Sequence, residues 1–241
     1  MLRALASTVL PLKRIKTSMI FPEKISSIKA SDRVLEIGPG ATPHPRSDAF
    51  LELKFHESKD KIAQRGGVNV DPNFGTKPVF FYDGEVFPFD DNQFDYVICS
   101  HVIEHVPNPE YFLNELFRVS GGRGYIEYPL ITYEYLYNFD VHSLFIKYDQ
   151  ENDTLSFLPK TETAIADFLP VSDLLRKLLE LGWNDLLWVN RDLFFEGFEF
   201  DRPFSIKKAK NISSLVSEKL KIRKKHLFRK ITSSFWNKVG F

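Results

Sequence analysis

Short apolar runs, each closed by a turn signal, alternate along this chain with stretches whose apolar residues recur every three or four positions. Arg33 to Ile37 (RVLEI) reads as a strand that stops at Gly38-Pro39-Gly40, and Ala49 to Leu53 (AFLEL) as a second. Pro78 to Tyr82 (PVFFY) is a third, ending at Asp83-Gly84. Phe94 to Ser100 (FDYVICS) is a fourth, apolar on both faces from Tyr96 to Cys99, as a strand inside a parallel sheet must be. Gly124 to Tyr128 (GYIEY) is a fifth, stopped by Pro129. Between the last two, the pattern predicts a helix with Asn108 as N-cap, Pro109 at the first helical position, and Tyr111, Phe112, Leu116 and Phe117 on one face. Gly121-Gly122 ends it. A second helix is predicted from about Ser172 to Leu181, with Gly182 as its stop. Asn184 to Val189 and Leu193 to Phe200 read as an antiparallel pair around Asn190-Arg191-Asp192. Strands alternating with helices and closed by a hairpin predict an α/β/α three-layer sandwich with a mainly parallel sheet.

Composition narrows the class. With 241 residues, 43% apolar and 27% charged, the chain can bury one ample core. Its apolar run near the start, Ala4 to Leu12, is broken by Ser7, Thr8 and Pro11, and no stretch nears the roughly 20 residues of a spanning helix. Cys99 is the single cysteine, which excludes an internal disulfide or a multi-cysteine metal site and fits a reducing, cytoplasmic setting. Charge changes the picture more. The 32 basic and 32 acidic residues cancel, yet Lys207 to Phe241 holds 9 Lys and 2 Arg against one acid, Glu218, leaving the tail +10 and the rest −10. The first 22 residues carry Arg3, Lys13, Arg14 and Lys16 and no acid. We therefore expect a poorly ordered basic lead-in (1–30), a catalytic-type domain (31–206) and a basic tail (207–241). In that tail Ile212, Val216, Leu220, Leu227, Ile231 and Phe235 fall at roughly helical spacing with lysines and arginines between them. Such a helix suits an anionic membrane surface, RNA phosphates, or packing on the domain with a solvated basic side. Trp236 favours the membrane.

The chemistry gathers at strand ends. Val34-Leu35-Glu36-Ile37-Gly38-Pro39-Gly40 is a strand ending in a tight glycine turn, which lets backbone approach a ligand at the carboxyl edge of a sheet. The dinucleotide fingerprint would need glycine at position 43, where the chain has Pro43, so a nicotinamide oxidoreductase is disfavoured. Glu52, at the end of the second run, can accept both hydroxyl protons of a ribose, and Asp71 competes for that role. Asp83 with Gly84 can meet an adenine.

The stretch FPFDDNQFDYVICSHVIEHV, Phe87 to Val106, resembles the class I S-adenosylmethionine-dependent methyltransferases of the broad type 11 group, and the order of motifs from E-I-G-P-G to GYIEYP is similar over residues 32 to 130. The segment Pro43-His44-Pro45-Arg46-Ser47-Asp48, with a histidine after the fifth strand, is similar to a bacterial subgroup of surface-glycan metabolism. The resemblance implies a Rossmann-like fold with a seven-stranded sheet and S-adenosylmethionine across the ends of the first three strands. Carried over, Glu36, Gly38, Pro39 and Gly40 border the methionine part, Glu52 binds the ribose, Asp83 and Gly84 meet the adenine, and Ser100 and His101 lie beside the sulfonium. The link from Gly40 to Glu52 is shorter than the family's.

His101-Val-Ile-Glu104-His105 also matches an inverted zinc-protease pattern, but it follows a buried strand and ends at Pro107, so no metal site is expected. His101, then His142, are the candidate bases, and Tyr133, Glu134, Tyr135 and Tyr137 are candidates to line an acceptor pocket. No Asp-Pro-Pro-Tyr or Asn-Pro-Pro-Tyr follows the fourth strand, which removes the usual signal for methylating nucleic acid bases. The expected activity is methyl transfer to a small-molecule, glycan or lipid-linked acceptor at oxygen or nitrogen. The alternative is a non-catalytic protein of the same fold that docks to a membrane or partner through its tail.

Overall fold

A computed structural model describes residues 18–55, 72–165, 169–181 and 185–216. The chain divides into two compact units: residues 1–127 with 197–204, and residues 128–196 with 205–241.

The first unit is built on a mostly parallel sheet. β1 (Val34–Ile37), β2 (Ala49–Leu53), β3 (Val79–Tyr82), β4 (Tyr96–Ser100) and β5 (Gly124–Pro129) all coincide with apolar runs of the sequence. β1 pairs in parallel with β2 and β4, β2 with β3, and β4 with β5. Among the described residues the sheet has six strands, in the order β3-β2-β1-β4-β5-β8, where β8 is Phe195–Phe200, so the seven strands implied by the resemblance are not all seen. Parallel pairing puts the carboxyl ends of β1 to β5 on one edge. The order reverses between β1 and β4, the place where open α/β sheets bind ligands. α1 (Pro109–Ser120) links β4 to β5 as its caps predict: the Asn108 side chain accepts the Tyr111 N–H at 3.1 Å, and Gly121 ends the helix at φ +60°. Phe112, Leu113, Leu116 and Val119 are its buried face, whereas Tyr111 is exposed.

The expected lead-in is partly a correction. From Ser18 onward the chain is packed: Met19 joins Val34, Tyr96, Ile98 and Tyr125 in a core cluster, and Phe21 is fully buried. The charge pattern gave no hint of this because the apolar pair Met19 and Phe21 sits behind the basic residues. Residues 1–17 lie outside the described residues.

The second unit holds a three-stranded sheet in the order β6-β7-β9, with β6 (Leu144–Asp149) antiparallel to β7 (Thr154–Pro159) and β9 (Ser205–Lys208) parallel to β7. α2 (Ile131–Tyr137) and α3 (Leu169–Glu180) precede and follow the hairpin. Its core joins Ile131, Phe145, Leu158, Ile165, Ala209 and Leu215.

The expected C-terminal hairpin is wrong in one arm. Asp185–Val189 is a short helix, α4. Asp185 places an acid in the first turn, where the helix dipole favours it, Leu186 and Leu187 are good helix formers, and β8 takes β5 as its neighbour. Among the described residues an antiparallel hairpin is formed by β6 and β7 instead, turned on Asp149, whose carboxylate accepts the N–H groups of Glu151 and Asn152. The tail boundary also moves. Lys207 and Lys208 are strand residues of β9, and Ile212–Leu215 is a single 3-10 turn that ends in extended backbone at Val216, so no long helix begins at Ile212. The remainder of the expected amphipathic helix, 217–241, lies outside the described residues. No helix among the described residues is long and apolar enough to cross a membrane.

Candidate functional site

The candidate site is the carboxyl edge of the first unit. β1 ends in Gly38, whose φ of +57° and N–H bond to the Leu51 carbonyl (2.9 Å) turn the chain sharply. A Cβ on Gly38 would stand 2.6 Å from Cγ2 of Val102, and one on Gly40 would stand 2.6 Å from Cβ of Ser18. Glycine at both positions is thus required by the protein's own packing. Pro39 between them is buried.

Glu36 pegs the loop that follows. Its Oε2 accepts the His44 N–H (2.9 Å) and the Ser47 hydroxyl (2.6 Å). Burial pushes its carboxyl up to about 7, and these hydrogen bonds only partly oppose the rise. The carboxylate is therefore occupied in shaping the 38–48 loop.

On the adjacent strand, Glu52 in β2 is buried, one residue from the strand end. Asp83, just beyond β3, is exposed, as is Gly84, which turns at φ +102° and where a Cβ would stand in ordinary contact, 3.7 Å, with Leu53 Cδ1. Asp71, the rival of Glu52, lies outside the described residues. On the other side of β1, β4 delivers Ser100, and His101 follows it in a left-handed conformation at φ +55°.

His101 is clasped by two fully buried carboxylates: its Nδ1 is 3.3 Å from Glu104 Oε1 and its Nε2 is 3.2 Å from Glu127 Oε1. Burial alone would discharge the imidazole, but bonding and charge from Glu104 and Glu127 outweigh it and raise His101 to about 10. Glu127 responds in the opposite sense. Burial would raise it, yet the bonds and charge of His101 with the Ile20 N–H and the Tyr125 hydroxyl hold its carboxyl near 2. Two buried carboxylates on its two ring nitrogens favour the protonated imidazole, which works against a role as general base.

Glu127 did not stand out as a site residue in the sequence, although one signal was there: an acid inside the apolar run GYIEYP, every residue of which is buried. It accepts from Ile20 N–H (2.9 Å), Phe21 N–H (2.8 Å), the Ser100 hydroxyl (2.8 Å) and the Tyr125 hydroxyl (2.7 Å). The segment Ile103–His105 is a three-residue 3-10 turn, so His101 and His105 share no helical face of the kind the zinc-protease pattern needs. Glu104 turns inward, with His105 Nε2 3.9 Å from its Oε1.

His142, the other candidate base, belongs to the second unit. Its Nδ1 is 2.6 Å from Oε1 of the buried Glu134, whose other oxygen pairs with Lys160. A carboxylate on Nδ1 fixes the orientation of the ring. The tyrosines around Glu134 are engaged in packing: Tyr133 meets Phe195 at 4.7 Å between ring centroids, Tyr135 stacks on Phe145, and Tyr137 is buried.

Residues 62–127 match the family model described as a methyltransferase domain. An uncharacterised protein of Methanocaldococcus jannaschii is 25% identical over 175 residues, covering 71% of this chain and 75% of its own length. Among solved structures, an S-adenosylmethionine-dependent methyltransferase of Thermotoga maritima is 23% identical over 46% of this chain and 49% of its own, with a TM-score of 0.29. One from Methanosarcina mazei is 18% identical over 52% of this chain and 69% of its own, with a TM-score of 0.30. The chain thus spans about half the length of the Thermotoga structure. At these TM-scores the superpositions add nothing to the match over residues 62–127.

Proposed function

We propose that this chain, which carries a methyltransferase-domain match over residues 62–127, transfers a methyl group from S-adenosylmethionine to a small-molecule, glycan or lipid-linked acceptor at oxygen or nitrogen. The family match bears out the resemblance seen in the sequence, with S-adenosylmethionine as the cofactor and a mostly parallel α/β sheet as the fold. The observation that carries the reading is the row of groups at adjacent parallel strand ends: the Gly38–Gly40 turn, buried Glu52, Asp83 beside the exposed Gly84, and Ser100.

This donor set fits the cofactor. Glu52 would accept the ribose hydroxyls, Asp83 and the exposed Gly84 would meet the adenine amino group and ring, and the Gly38-Pro39-Gly40 turn with Ser100 would border the methionine part. The bound cofactor supplies a methyl group already activated by its sulfonium. What remains for the protein is to hold the acceptor in line and to exclude water, with a base only where the acceptor's proton must leave. His101, whose ring proton Glu104 and Glu127 hold, is the weaker candidate for that task. His142, which bonds Glu134 through Nδ1, is the other histidine the sequence offers as a base. The +10 of residues 207–241 supports contact with an anionic surface, as a lipid-linked acceptor would bring.

Incubating the chain with methyl-tritiated S-adenosylmethionine and a fractionated cell extract tests the acceptor class. Label is expected in the small-molecule, glycan or lipid fraction, and label confined to nucleic acid or protein would contradict it. Cofactor binding with no label transferred would favour the non-catalytic docking protein.

A further inference from the structure

Four contacts lay the segment Ser18 to Phe21 across the carboxyl edge of the first unit. Ser18 exchanges two hydrogen bonds with Thr42, its N–H donating to the Thr42 carbonyl (2.9 Å) and its hydroxyl accepting the Thr42 N–H (2.9 Å). It lies directly over Gly40, leaving no room for a Cβ there. Two residues on, the N–H groups of Ile20 and Phe21 donate to the two oxygens of Glu127. The segment therefore runs from the loop after β1 to the end of β5. On the way it shares Glu127 with Ser100 and His101 at the end of β4.

A segment anchored by a buried acid more than a hundred residues away is a costly arrangement unless that acid is fully satisfied. Glu127 is fully buried, and a buried carboxylate needs several donors to offset its lost hydration. It has them: two backbone N–H groups from the segment, hydroxyls from Ser100 and Tyr125, and the His101 imidazole. Two of the five come from the segment itself, so the segment and the end of β4 are held by one carboxylate. Met19 adds an apolar anchor, buried against Val34, Tyr96, Ile98 and Tyr125.

We propose that Glu127 is a positioning residue of the cofactor site, and that the Ser18–Phe21 segment it latches forms the wall of the pocket at the methionine end. This rests on the reading that S-adenosylmethionine binds at this edge with its methionine part beside Gly38, Gly40 and Ser100. The adenosine end, at Glu52 and Asp83, lies two and three strands from β4 in the sheet order and shares none of these contacts. Glu127 acts through the segment and through Ser100, and it touches no reacting atom.

Hydrogen–deuterium exchange on the full chain tests the wall directly. Adding S-adenosylmethionine is expected to slow exchange of the Ile20 and Phe21 amides by at least about tenfold. Calorimetry on Glu127→Gln, which keeps the size and removes the charge, supplies the second readout. S-adenosylmethionine and S-adenosylhomocysteine are expected to bind at least about tenfold more weakly. 5′-Methylthioadenosine, which lacks the amino-acid half, keeps its wild-type affinity, a split that general loss of structure would not produce. Unchanged exchange at Ile20 and Phe21 with the cofactor bound overturns the proposal. Equal weakening of all three ligands, or of none, does the same. If Glu127→Gln fails to fold, the exchange result on the wild type decides. A wild-type chain that binds none of the three overturns the cofactor reading itself, a failure distinct from that of the wall.

Discussion

Glu127→Ala is expected to cost about 3–5 kcal/mol, as breaking a buried ion pair from one side does. A domain whose whole stability is about 5–15 kcal/mol would be left close to unfolding. The substitution strands the N–H groups of Ile20 and Phe21 and the hydroxyls of Ser100 and Tyr125, and it leaves the His101 cation with Glu104 alone. Each buried donor without an acceptor adds its own desolvation cost. A urea melt with an unchanged slope and a lower midpoint is the expected record. The same cluster sets a pH profile. Glu127 is lowered from 4.5 to about 2, so its contribution is complete above pH 4.5 and is lost as pH falls through 2. His101 is raised from 6.5 to about 10, so its contribution is complete below pH 6.5 and is lost as pH rises through 10. Glu36, raised from 4.5 to about 7, contributes fully below pH 4.5 and loses that contribution as pH rises through 7, ahead of the His101 loss. Melting temperature against pH should therefore fall away on both sides, and His101→Ala should flatten the limb near pH 10.

Glu52→Ala is expected to weaken S-adenosylmethionine binding by at least about tenfold, since two charge-assisted bonds to ribose hydroxyls at about 1.5–3 kcal/mol each would go. Glu52 is 7% exposed, so little competing water reaches its carboxylate in the absence of ligand. Its charge also contributes to the raised ionisation of Glu36, and removing it should let the Glu36 carboxyl fall back from about 7. Both effects are readable on one variant, the first by calorimetry and the second by carboxyl-resolved NMR. An unchanged affinity would move the ribose role to another acid.

The parallel strands were legible because apolar runs bounded by turns need no partner to be seen: VLEI, AFLEL and YVICS are buried on both faces, and VFFY shows the same run although Phe81 is exposed. α1 was legible through its caps, which are local chemistry. What escaped depends on residues distant in sequence. Asp185–Val189 carries apolar residues that suit helix or strand, and the neighbour chosen by β8 decides between them. The β6–β7 hairpin has no Asn-Gly or Asp-Gly turn, so its register rests on the core around Phe145 and Leu158. In the site, the row of Glu52, Asp83, Gly84 and Ser100 follows from strand order, which the motif sequence already carried. The state of His101 does not. A histidine after a strand is a base or a cation according to what faces it, and Glu127 reaches it from 26 residues away, as part of a strand that reads as plain core. The Ser18–Phe21 segment was hidden for the same reason, because its anchor is 106 residues downstream.

The most direct test of this account is calorimetric titration of the purified, metal-free chain with S-adenosylmethionine and S-adenosylhomocysteine, with NAD in parallel. Micromolar binding of the two adenosyl ligands with no response to NAD is the predicted result. A folded chain that binds neither, or that binds NAD instead, would contradict it.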